Sequence, residues 1–168
     1  MSRTLKVAGC LLAMLALHGC ATRYTPVPEG YTGPTAEVAD SARPGNGMRS
    51  EIFALTEVDG REIHNSFDAS RPERSGWGTA LATRAVARPV PATPMKVKVV
   101  GSHIHLDNMR AILGDIAGTS FSVSGTVNFT PAPGGKYLVK GELKKGASSI
   151  WIEDRATGLP VTEKIIGK

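Results

Sequence analysis

Cysteine is scarce in this 168-residue chain, which holds only Cys10 and Cys20. Two thiols exclude a disulfide framework and a four-cysteine zinc site. Aromatic residues make up only 5% of the sequence, and no apolar run reaches the ~20 residues that a membrane-spanning helix requires. The sequence also lacks G-x-S-x-G, H-E-x-x-H and a phosphate-binding glycine loop. We therefore predict a protein that is not an enzyme.

The N-terminus has the layout of an export signal. Arg3 and Lys6 precede an apolar run over residues 7–17, which is too short to cross a bilayer. Charge followed by a short apolar stretch is typical of a segment that directs export and is then removed.

Residues 17–20, with the sequence LHGC, resemble the lipobox of bacterial lipoproteins. Small Gly19 lets a peptidase approach the backbone, and the Cys20 thiol is the nucleophile that accepts diacylglycerol. His18 departs from the pattern, because that position usually carries a small or uncharged residue. The resemblance implies cleavage between Gly19 and Cys20 and a covalent lipid on Cys20, with no other cofactor. An ordinary signal peptide and a retained apolar helix are the alternatives.

Three segments follow from this interpretation: a signal peptide over 1–19, a lipidated flexible tether over 20–34, and a single domain over 35–168. The tether is rich in proline and glycine, and at ~3.3 Å per residue it would hold the domain up to ~45 Å from the headgroups. Cleavage removes Arg3 and Lys6 and lowers the formal net charge from +5 to +3. A charge this small excludes a nucleic-acid partner.

The domain reads as a series of short strands. Residues 95–106 begin with Val97 and Val99 on one face and lysines on the other, and residues 119–130 alternate in the same way. One face of the second run is apolar and carries Phe121, Val123, Val127 and Phe129, while the other face carries hydroxyl and amide groups. Asp59 and Gly60 indicate a hairpin turn. We predict a mostly β fold, a two-sheet antiparallel sandwich that is loosely immunoglobulin-like.

Other local features are less regular. Gly101 inside a strand indicates a bulge or bend, residues 65–80 read as a long loop, and Pro89-Val90-Pro91 reads as a break after a strand over 81–88. One short helix is predicted over residues 108–117, with Asp107 as its N-cap.

Two stretches, residues 31–36 (YTGPTA) and 151–158 (WIEDRATG), resemble uncharacterised small outer-membrane lipoproteins of Gram-negative bacteria. The resemblance carries no catalytic motif. It implies placement in the cell envelope and a β fold, and it implies nothing about activity.

His103, His105 and Asp107 have the spacing of metal ligands. On a strand their side chains point to one face with neighbours roughly 6.6 Å apart. Two imidazoles and a carboxylate suit Zn²⁺ or Cu²⁺, with His64 as a candidate fourth ligand. The alternative is a polar strand end that runs into a helix cap.

Trp77, flanked by glycines, is a candidate ligand-binding platform or a lid that folds back on the sandwich. The middle of the chain is basic, which suits anionic lipid headgroups, although a solvated loop is the alternative; its arginines are Arg71, Arg74, Arg84 and Arg88.

The leading hypothesis is an envelope-anchored lipoprotein whose β-sandwich binds a partner or has a structural role. The partner would be an envelope protein, a glycan or an anionic lipid. The competing hypothesis is a periplasmic metal or small-ligand binder that uses His103, His105 and Asp107. In the lipoproteins that residues 17–20 resemble, aspartate after the lipidated cysteine signals inner-membrane retention. Ala21 at that position therefore implies the outer membrane, and we expect the domain on its periplasmic face.

Overall fold

The computed structural model describes residues 23–44, 49–75, 78–105 and 121–167. Ten of the twelve strands in these ranges form two sheets that pack around a shared apolar core, and the other two form a separate two-stranded sheet. This arrangement confirms the predicted β-sandwich. No helix within the described ranges is long and apolar enough to cross a bilayer.

The first sheet has five strands in the order β12-β11-β10-β1-β7. Neighbouring strands are antiparallel except for β1 and β10, which are parallel. The parallel pair departs from the predicted antiparallel sheets. A hairpin would make neighbouring strands antiparallel, but β1 and β10 are joined by a long stretch of chain, which allows parallel pairing. The bounds are β1 (Thr35–Ala39), β7 (Ala87–Pro91), β10 (Lys136–Glu142), β11 (Ser149–Asp154) and β12 (Ile165–Ile166).

The second sheet has the order β2-β3-β8-β9 and is antiparallel throughout, with β4 paired to one end of β3. Its strands are β2 (Ser41–Pro44), β3 (Arg49–Val58), β4 (Arg61–Glu62), β8 (Met95–His105) and β9 (Ser122–Phe129). The short turn between β3 and β4 has positive φ at Asp59 (49°) and Gly60 (76°). The predicted hairpin is therefore confirmed.

The core follows the alternation in the sequence. Val97 and Val99 on β8 are fully buried, and Val123, Val127 and Phe129 on β9 are at most 4% exposed. Burial of each such side chain contributes about 1.5–3 kcal/mol.

Phe53 on β3 lies against two glycines, one in each sheet. A Cβ added to Gly101 would lie 2.8 Å from the Phe53 ring, and one added to Gly141 would lie 2.4 Å from it. The glycines are thus required by the close approach of the ring. Of the two alternatives predicted at Gly101, a bulge or a bend, the bulge is wrong, since the register shift between β3 and β8 lies between Leu55 and Glu57.

Residues 65–80 do not form the predicted long loop. They hold a one-turn helix, α1 (Ser66–Ala69), followed by the hairpin of β5 (Arg71–Ser75) and β6 (Gly78–Ala82). Asn65 and Asp68 cap the helix reciprocally, which stabilises a helix too short to persist alone. The helix predicted over residues 108–117 lies outside the described residues.

The predicted break at Pro89-Val90-Pro91 is also wrong, because β7 continues through it and pairs with β1. Strand β7 is at the edge of its sheet. An edge strand tolerates proline because only one side of its backbone needs hydrogen-bond donors.

Candidate functional site

The structure describes only part of the predicted site. Gly19, Cys20, Trp77 and Asp107 lie outside the described residues, whereas His103 and His105 lie at the end of β8. The lipidation site, the candidate platform and the third candidate metal ligand therefore stay predictions.

His103 points into the sandwich and its side chain is only 2% exposed. The backbone N–H of Phe121 donates a hydrogen bond to its Nδ1 over 3.1 Å. Its Nε2 lies 3.5 Å from Oε1 of Glu51 on β3. Glu51 in turn accepts a hydrogen bond from Arg43, at 3.0 Å. These contacts form a polar row across β2, β3 and β8. The row marks the end of the apolar core on the inner face of the second sheet.

Burial lowers the pKa of His103 from its ordinary value, and the nearby Arg49 guanidinium lowers it further, against the opposing pull of Glu51. The imidazole is therefore neutral near pH 7. Because Nδ1 accepts a hydrogen bond, we assign the ring proton to Nε2, which faces the Glu51 carboxylate.

His105 follows on the same face, and its ring centroid lies 6.3 Å from that of His103 at an angle of 57°. The predicted juxtaposition of the two imidazoles is therefore present. A metal ion bound to His103 would, however, have to displace an existing partner, because Nδ1 already accepts a hydrogen bond from Phe121 and Nε2 faces Glu51. Within the described ranges, no three histidine, cysteine or acidic side chains are grouped to hold a metal ion.

His64 is not brought to this pair. It is 60% exposed and lies 3.7 Å from Asp68 beside α1. The N–H of its neighbour Ile63 donates a hydrogen bond to the Thr56 carbonyl. On β3, Thr56 lies five residues beyond Glu51, which pairs with His103 on β8. That separation is about 17 Å along the strand.

Sequence analysis missed a buried carboxylate that accepts five hydrogen bonds. Asp40 accepts hydrogen bonds from both terminal nitrogens of Arg88, from the N–H groups of Leu55 and Ser66, and from the Ser66 hydroxyl. Asp40 is 2% exposed and Arg88 is 7% exposed. The assignment of Arg88 to a basic surface is therefore wrong, since its charge is neutralised inside the sandwich. The alternation of β7, with Arg88 and Val90 on one face, was the available signal.

Trp151 lies on the outer face of the first sheet, while Ile150 and Ile152 are fully buried. The ammonium of Lys164 lies 4.2 Å from the centre of the indole ring. The indole N–H donates to Glu153 over 3.4 Å. This ring is a half-exposed aromatic surface with charged neighbours.

No protein-family model, curated protein or solved structure matches the chain.

Proposed function

We propose that this chain is a lipoprotein of the bacterial envelope, held by a lipid on Cys20 in the outer membrane and facing the periplasm. Its β-sandwich then serves as a binding or structural module without catalytic activity. The observation that carries the proposal is the LHGC sequence of residues 17–20 at the end of a short apolar run. Two residues, Ala21 and Thr22, separate that cysteine from Arg23, the first described residue.

A non-catalytic role is supported by the state of the buried ionisable groups. The Asp40 carboxylate is occupied by Arg88 and three further donors. His103 is held between Phe121 and Glu51. Such groups fix the fold, whereas a catalytic acid or base needs an accessible substrate-facing atom.

A protein partner is supported by apolar side chains at the β12 edge of the first sheet. The segment that follows β11 returns along it, as the hydrogen bond from Val161 N–H to the Ile152 carbonyl shows. Three large side chains of this segment are 44% to 64% exposed: Leu159, Val161 and Ile166. Exposed apolar side chains along one edge suit contact with another envelope protein.

Metabolic labelling with a palmitate analogue tests the anchor. Wild-type protein should be labelled and Cys20→Ala should not, because the acceptor thiol is gone. Cys10→Ala is the matched control, since it removes the other cysteine and should be labelled like wild type. Equal labelling of Cys20→Ala and wild type would refute the lipidation site.

The alternative function, binding of a metal or small ligand, draws on the 6.3 Å separation of His103 and His105. Calorimetric titration of the domain with Zn²⁺ tests it. Stoichiometric binding that His105→Asn abolishes and His64→Asn leaves intact would favour this function. An absence of binding would leave the first proposal alone.

A further inference from the structure

The first described residues are bound to the domain instead of leading away from it. The guanidinium of Arg23 bridges two carboxylates, those of Glu62 and Asp68, the latter over 2.9 Å. The Tyr24 N–H donates to the Glu62 carbonyl over 2.8 Å. We call this set of contacts the Arg23 clamp.

The Tyr24 side chain adds to the clamp. It packs against the apolar core, and the Arg61 guanidinium lies 4.7 Å from its ring centre. Residues 23 and 24 belong to the segment that the sequence assigns to a flexible tether. The chain between Cys20 and Arg23 spans three peptide units, which bring the Cys20 Cα within about 11 Å of the Arg23 Cα.

The pairing also fixes the direction in which the chain runs at Tyr24. Tyr24 forms a parallel bridge with Ile63, and Ile63 directly follows β4, which runs away from the Asp59–Gly60 turn. Because the chain at Tyr24 runs parallel to β4, Arg23 lies on the side of Tyr24 that faces that turn.

That side is one end of the sandwich, which we call the turn end. It comprises the Asp59–Gly60 turn, residues 92–94 and residues 130–135. The Asp59 N–H bonds to the Lys96 carbonyl at 2.8 Å, and Met95 pairs with Phe129, so the three connections lie together. Residues 92–94 (ATP) and 130–135 (TPAPGG) contain no charged side chain.

The opposite end is different. The connection between β10 and β11 carries Lys144 and Lys145, and the Lys144 side chain is 64% exposed. The 11 residues of β8 separate the two ends, which corresponds to about 35 Å.

We infer that the turn end of the sandwich rests against the lipid headgroups, with the domain held close to the bilayer by the Arg23 clamp. This inference rests on the proposed lipid at Cys20. The partner surface is a lipid membrane, and of the three connections at this end only the Asp59–Gly60 turn brings a charged side chain to it. The β10–β11 end then faces away from the membrane.

Fluorescence quenching by lipid tests this orientation. With Cys20 consumed by the lipid, single cysteines introduced as Thr93→Cys at the turn end and Lys145→Cys at the far end carry the only free thiols. Each lipidated variant is labelled with a fluorophore and reconstituted in phosphatidylethanolamine–phosphatidylglycerol vesicles that contain a spin-labelled lipid. We expect quenching at position 93 and none at position 145.

The Arg23 clamp is tested in the same assay. Arg23→Ala should reduce the difference in quenching between positions 93 and 145, because the released segment lets the domain reorient. Arg43→Ala, which removes an exposed arginine paired with Glu51, should preserve the difference.

The outcomes separate the two proposals. Protein that does not float with the vesicles lacks the lipid and overturns both the proposed function and the orientation. Protein that floats but is quenched equally at positions 93 and 145, or more strongly at 145, overturns the orientation alone. An unchanged difference in Arg23→Ala would overturn the role of the clamp.

Discussion

The carboxylate of Asp40 and the guanidinium of Arg88 face each other across two hydrogen bonds, at 2.8 and 2.5 Å, with side-chain exposures of 0% and 8%. Asp40 is the residue between β1 and β2, where the chain passes from the first sheet to the second. The ion pair therefore joins the crossing point of the two sheets to the edge strand β7. Ser66 connects α1 to the same carboxylate.

Asp40→Asn should destabilise the domain strongly, because it leaves the Arg88 charge buried without compensation. The expected loss in the free energy of unfolding is about 3–5 kcal/mol, measured by urea denaturation. Glu37→Gln is the control, since Glu37 forms an exposed pair with Arg155 at 3.6 Å and should cost less than about 1 kcal/mol. Equal losses in the two variants would contradict the structural role of the buried pair.

The two glycines beside Phe53 should differ in their tolerance of alanine. At Gly101 the added Cβ meets only side chains, those of Phe53 and Val123, whereas at Gly141 it also meets the Ser149 carbonyl at 2.6 Å. We expect Gly101→Ala to cost about 1–3 kcal/mol and Gly141→Ala to cost more. Thermal denaturation measures both.

A second substitution checks the cause. Phe53→Leu should recover part of the loss in Gly101→Ala, because a smaller side chain leaves room for the new methyl group. It should recover less in Gly141→Ala, where the backbone carbonyl remains. Purely additive effects in both double variants would show that contact with the Phe53 ring is not the source of the destabilisation.

The stability of the domain should fall as the pH is lowered through the range in which histidine titrates. The pKa of His103 is lowered in the folded protein, so the unfolded chain binds a proton more readily than the folded one. The stabilisation is then complete above the ordinary histidine pKa of about 6.5 and is lost as the pH falls toward the lowered folded value.

Urea midpoints at pH 7.5 and pH 5.0 measure this dependence. His103→Asn, whose amide oxygen can accept the Phe121 N–H in place of Nδ1, should lose less stability between the two values than wild type. His64→Asn, at a 60% exposed position, should behave like wild type. An identical loss in wild type and His103→Asn would refute the assignment to His103.

Local sequence patterns predicted the strands and their inward faces because alternation and turn chemistry act over a few residues. Val97 and Val99 could be assigned to the core from their neighbours alone. The turn at Asp59 and Gly60 could be read from the positive φ that it requires.

Features that depend on distant partners could not be read in this way. Arg88 resembled a surface charge because its partner Asp40 is 48 residues away. Tyr24 resembled a tether residue because Ile63, with which it pairs, lies in a distant part of the chain. Gly101 suggested a bulge because the ring that requires the glycine belongs to another strand.

The membrane in which the protein resides is a separate prediction from its lipidation. Ala21 follows Cys20, the proposed lipidation site, and the absence of a retention aspartate at this position predicts outer-membrane placement. Each buried methylene of the acyl chains contributes about 0.8 kcal/mol, so several chains make release negligible. Sucrose-gradient fractionation should find the protein with outer-membrane markers. Ala21→Asp should shift it toward the inner membrane, and co-migration of the wild type with inner-membrane markers would refute the placement.

The intact mass of the protein purified from membranes tests the central proposal most directly. We expect a chain that begins at Cys20, lacks residues 1–19 and carries the added mass of a diacylglyceryl group, with or without a further acyl chain, on that residue. Alkaline hydrolysis should remove the ester-linked acyl chains and reduce the mass accordingly. A chain that retains Met1, or one that begins at Cys20 with an unmodified thiol, would refute the lipidation of Cys20.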